Sequence, residues 1–141
     1  MTRTFFYPCR PRGQGRPRFA GHTAYKSSED RAYEQGIRMA YVSVYPGYHP
    51  ISGPFGISIT AVYPIPKSES KARRTQMIEG NVLPIIRPDV DNILKAVLDA
   101  LNGTAYTDDK NATESAIKKV YGVTPGLLVT ITPLEGEAHE E

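Results

Sequence analysis

RPDVDNILKAVLDALNGTAYTDD spans residues 87–109, and its reading decides the fold. On a helix of 3.6 residues per turn, residues 91–101 place Ile93, Leu94, Val97, Leu98 and Leu101 on one broad face, the core side. Asp91, Lys95 and Asp99 follow at i, i+4 and i+8 and form a separate stripe. Ala96 and Ala100 lie across from that stripe. They permit close packing, within the chain or against a second copy. Asn102-Gly103 is a helix stop.

Working outward, the flanks read as alternating elements. TFFYPCRPRGQGRPRF (4–19) begins as a short strand and becomes a Pro- and Gly-broken loop that displays Arg10, Arg12, Arg16 and Arg18. Ser27 and Ser28 are helix-cap residues, and the spacing of Tyr33, Ile37, Ala40, Tyr41 and Val44 predicts a helix over 28–45. GPFGISITAVYP (53–64) alternates as a half-buried strand. Residues 66–88 show no period and read as a long charged loop. ESAIKKVYGV (114–123) and GLLVTITP (126–133) read as two strands around a Thr124-Pro125-Gly126 turn. The expected architecture is a single α+β domain over residues 1–134. Its order is β-α-β-loop-α-β-β, with a mixed or antiparallel sheet carrying two helices. The acidic tail 135–141 is expected to be disordered.

The chain carries a net charge of +2 over 141 residues. The tail EGEAHEE holds four acids, so the rest of the chain is at +6. Six cations precede the first acid, Glu29. A basic first third suggests a polyanionic partner; a merely solvated basic face is the alternative. Cys9 is alone, which excludes an internal disulfide and a cysteine zinc site. There is no apolar signal core and no run near the ~20 residues that a membrane span needs, so an intracellular, cytoplasmic setting is expected. His22, His49 and His139 lack metal-ligand spacing and are expected at the surface.

The aspartates pose the chemical question. Asp89 and Asp91 can converge at the start of the helix, where paired carboxylates repel unless a cation sits between them. The positive helix end offsets only about 0.3–1 kcal/mol of this. Oxygen-only ligands favour Mg²⁺, with Mn²⁺ as a substitute. Such a site suits phosphodiester hydrolysis, with Lys95 placed to stabilise developing charge. The plain alternative is a cap, a surface ion pair and an ordinary turn. For Asp108 and Asp109 to join Asp89, the loop 102–108 would have to run back along a helix about 16 Å long.

Asp89, Asp91, Asn92, Lys95, the run Leu98-Asp99-Ala100-Leu101 and the pair Asp108-Asp109 together resemble the signature of the RusA-type Holliday junction resolvases of phages and prophages. GRPRF (15–19) and the Tyr33-Glu34 pair are similar to many members. The resemblance implies a homodimeric, Mg²⁺-dependent endonuclease that cuts branched DNA symmetrically. It implies Asp89, Asp91 and Asp109 as metal ligands, with Asp108 as the alternative to Asp109, and Lys95 as the catalytic lysine. Asp99 is a candidate structural residue. Arg10, Arg12, Arg16, Arg18, Lys67, Lys71, Arg73, Arg74 and Arg87 would then contact phosphates. Tyr106, beside the aspartate pair, is a candidate wedge into a junction. The alternative functions are a junction-binding recombination accessory that does not cut, or a nuclease for flaps, forks or duplex.

Overall fold

The computed structural model describes residues 1–15 and 18–139. Arg16, Glu140, Glu141 and the Arg18 side chain lie outside the described residues. The elements are β1 (Arg3–Tyr7), β2 (Arg18–Ala20), β3 (Thr23–Tyr25), α1 (Ser28–Val44), β4 (Phe55–Pro64), α2 (Lys71–Ile78), α3 (Val90–Leu101), β5 (Ala112–Gly122) and β6 (Gly126–Pro133). This is the expected α+β fold.

A four-stranded mixed sheet in the order β1-β6-β4-β5 carries the core. Period-2 alternation sends Phe5, Ile57, Ile59, Ala61, Tyr63, Leu127, Val129 and Ile131 to one buried face. There they meet Tyr33, Ile37 and Tyr41 of α1 and Ile93, Val97 and Leu101 of α3. Ile59 sits at the centre, opposite Val129 on one side and Ile117 on the other. β4 and β5 run parallel. Parallel neighbours need a long crossover, and α2 and α3 supply it.

The structure corrects the sequence reading at several places. β5 and β6 do not pair with each other, because β4 lies between them. Two glycines near this crossing allow close approaches, one to β4 and one to β1. A Cβ on Gly122 would lie 2.6 Å from Val62 Cγ1, and one on Gly126 would lie 2.5 Å from the Tyr7 carbonyl. The segment 66–88 is not all loop: Ser70 accepts a hydrogen bond from Arg73 N at 3.1 Å and starts α2, a third helix. Residues 18–25 form a short hairpin, β2-β3, where a loop was expected.

On α3 the apolar face is rotated slightly from expectation. Ala96 and Ala100 are buried in the core, so they are not dimer contacts, while Leu94 and Leu98 are only partly buried. α1 and α3 pack closely there, and Arg38 Nε donates to the Ala100 carbonyl at 3.1 Å. Tyr106 is fully buried, stacked on Phe55 with ring centroids 4.3 Å apart. Its hydroxyl donates to the Leu98 carbonyl at 2.7 Å, so it is a core residue and no wedge.

Candidate active site

α3 begins where the sequence places chemistry. Asp89 is its N-cap: the Oδ1 atom accepts from Asn92 N at 2.9 Å. Asp91 lies in the first turn and Lys95 one turn on, and both are exposed. The approach to the helix is braced by the sheet. Tyr63 Oη donates to the Pro88 carbonyl at 3.1 Å, and Lys119 Nζ donates to the Ile86 carbonyl at 2.5 Å. The Arg87-Pro88 peptide between them is cis.

Against this start lies a cleft of about 700 Å³. Asp89, Asn92, Pro88 and Arg87 form one wall, and Cys9, Arg10, Arg12 and Gly13 form the other. Residues 10–15 of the arginine loop are therefore held in place, where a freely displayed loop was expected. Gln14 N donates to Asn92 Oδ1 at 2.9 Å, and Gln14 Nε2 donates to Asp99 Oδ2 at 2.6 Å. A Cβ on Gly13 would lie 2.3 Å from Asn92 Nδ2, so a side chain there would displace Asn92 from its place in the clamp. Asn92 and Asp99, seven residues apart on α3, thus clamp the loop against the helix.

The same loop is tied to α1. Arg12 N donates to Tyr33 Oη at 3.1 Å, and Gly15 N donates to Asp30 Oδ2 at 3.2 Å. Arg12 Nη2 meets Asp30 Oδ1 at 2.5 Å, with Glu29 at 3.7 Å. Burial pushes the Asp30 carboxyl upward. The hydrogen bond and charge of Arg12, with the Ser27 and Gly15 donors, outweigh burial and hold it below the usual carboxylate range. Arg12 is thereby engaged within the protein, whereas Arg10 and Arg87 are exposed at the cleft. Lys67, Lys71 and Arg73 are exposed on and before α2, and Arg74 donates to the Pro66 carbonyl at 3.2 Å.

Asp108 and Asp109 sit at the other end of α3. Asp109 N donates to Oδ1 of Asn102, the C-cap of α3, at 3.1 Å. Asp108 Oδ1 accepts from Lys110 N at 3.0 Å and caps a short 3₁₀ turn over Asp109–Asn111. Burial, and then the neighbouring Asp108 and Asp99, raise the Asp109 carboxyl above its ordinary value. α3 has 12 residues and is about 18 Å long; Asp89 caps its start, while Asp109 is tied to its C-cap and shares a shallow pocket with Leu94 and Leu98 on its flank. Among the described residues, no three His, Cys, Asp or Glu side chains gather to hold a metal ion.

Sequence reasoning missed Gln14 and the clamping roles of Asn92 and Asp99. Asn92, which follows the two aspartates, and Asp99, a candidate structural residue, carried the signal; Gln14 carried none. The three histidines are exposed, as expected.

The model of the family Endodeoxyribonuclease RusA matches residues 8–132. The chain belongs to the RusA endodeoxyribonuclease family. The match covers both walls of the cleft, the whole of α3 and the Asp108-Asp109 turn. A relative, the uncharacterized protein YqaN of Bacillus subtilis (strain 168), is 32% identical over 126 residues, which are 86% of this chain and 89% of the relative. Membership in RusA makes the arrangement that of a DNA-cutting hydrolase family. No helix among the described residues is long and apolar enough to cross a membrane.

Proposed function

We propose that this RusA-family chain is a Mg²⁺-dependent, structure-selective endodeoxyribonuclease that resolves four-way DNA junctions by paired symmetric cuts as a homodimer. The supporting observation is the cleft that brings Arg10, from its opposite wall, and Arg87, from the same wall, to the carboxylate at the start of α3. One DNA strand laid in this cleft would have its phosphates neutralised from both walls. The scissile bond would then lie against Asp89 and Asp91.

The donors fit a hard divalent cation in chemistry. Asp89 commits one oxygen to its cap and keeps the other, and Asp91 stands exposed two residues on. When bound there, Mg²⁺ would activate a water and neutralise charge on the phosphate. Lys95 follows Asp91 by one turn and would neutralise the leaving oxygen or the developing phosphate charge. The clamp from Gln14 to Asn92 and Asp99 keeps the arginine wall at a fixed distance from these groups.

Asp109 is tied to the C-cap of α3, and Asp89 caps the opposite end of that helix. We assign the contribution of Asp109 to the site of a second copy, so that two chains together complete two equivalent sites. That arrangement matches a substrate in which two equivalent strands are nicked.

The test is an assay on a synthetic four-way junction and its matched linear duplex, in Mg²⁺ and in EDTA. Asp91→Asn should bind the junction as the wild type does and leave it uncut. Normal cleavage by that variant removes Asp91 from the site.

A further inference from the structure

Residues 81–88, NVLPIIRP, connect α2 to α3 and lead directly into Asp89. Leu83 is 57%, Ile85 96% and Ile86 43% exposed. An isoleucine left almost wholly in water is a cost that a polar residue in the same place would avoid. The backbone beneath it is held firmly. Pro84 is buried, and the Ile86 and Pro88 carbonyls are bonded to Lys119 and Tyr63. The loop therefore presents an apolar tip on a braced base, with the cations Arg87 and Lys119 beside it.

We propose that Ile85 is an apolar wedge that enters the base stack at the branch point of the DNA held in the cleft. This deepens the proposed function and rests on it. Aliphatic side chains placed between base steps unstack them and kink the helix, and flanking cations hold the phosphates while they do so. Charge complementarity favours DNA over a second copy of the chain as the occupant. A two-fold partner would bring the same cations to the face, like charge toward like, whereas phosphates match them. Ile85 lies four positions before Asp89, so the wedge reaches a base step within about 14 Å of the scissile position. Unstacking costs least where stacking is already interrupted, so the wedge would favour a branch over duplex.

The experiment uses the full chain in EDTA, where binding proceeds without cutting. The probes are a four-way junction with 2-aminopurine at the branch point and the matched duplex. Wild-type binding should raise the 2-aminopurine emission. Ile85→Ser should lose most of that rise and about tenfold of the preference for junction over duplex, with unchanged melting temperature and sedimentation coefficient. Ile85→Leu should restore the rise. An equal rise with Ile85→Ser overturns the wedge, as does a shift of that variant to a smaller oligomer, which would make Ile85 a contact between copies. If the wild type itself shows no preference for the junction, the resolvase reading and the wedge fail together. If the wild type prefers the junction and Ile85→Ser matches it, the wedge alone fails.

Discussion

Replacing Asp30 with asparagine tests how the arginine wall is held. Asp30 is 4% exposed and accepts from Arg12 Nη2 at 2.5 Å and from Gly15 N at 3.2 Å. Asparagine keeps the shape and one acceptor. It turns a charge-assisted bond into a neutral one and sets an amide group against the Gly15 N–H. A hydrogen bond to a charged group contributes about 1.5–3 kcal/mol, against about 1 for a neutral pair. The Arg12 side chain is 38% exposed, so solvent screens part of the difference. The expected cost is about 2 kcal/mol, which for a chain of this size lowers the melting temperature by about 6 °C. The sign with pH follows from the depressed carboxyl of Asp30. Its stabilisation is fully present above the unfolded pKa near 3.9 and is lost as pH falls through the lower folded value. The gap in urea midpoint between wild type and variant should therefore be constant near neutrality and narrow below about pH 4. A melting temperature within about 1 °C of wild type at pH 7, or a gap unchanged down to about pH 3, would refute the reasoning.

Three further outcomes are expected. Asp109→Asn should abolish cleavage yet raise the urea midpoint slightly at neutral pH. The raised carboxyl is ionised there against Asp108 and Asp99, and the advantage should fade as pH falls through the folded pKa. Gln14→Ala removes the 2.6 Å bond to Asp99 and should weaken DNA binding several-fold with unchanged far-UV circular dichroism, measured by fluorescence anisotropy. Asp91→Asn and Asp109→Asn chains, each inactive alone, should regain about a quarter of wild-type nicking when mixed, because half of the dimers then hold one intact shared site. No recovery after verified subunit exchange would place both aspartates in the same chain's site.

What could be read from the sequence followed the local signals. α3, β4 and α1 announce themselves because burial imposes a period on their own residues, and Ser27 marks the start of α1 by a bond to Asp30 N. α2 gave no such signal, since Met77 is its only buried residue and KARRTQMI has no apolar stripe. The β2-β3 hairpin is three residues a side and exposed, too short to show alternation. The insertion of β4 between β5 and β6 is a property of the whole sheet and is not encoded near the turn. The aspartates, the lysine and the basic residues were legible as a set, but not their partition between the two ends of α3. The clamp rests on bonds between residues 78 and 85 positions apart, which no local pattern reveals. Tyr106 lies beside the acidic pair in sequence, while its ring fills the space under β4. Proximity in the chain suggested exposure that packing removes.

The most direct measurement is the cleavage of a synthetic four-way junction beside its matched linear duplex, in Mg²⁺ and in EDTA. The account predicts paired, symmetric cuts in the junction alone, abolished by EDTA. A junction bound but left whole in Mg²⁺, or a duplex cut as fast as the junction, would contradict it.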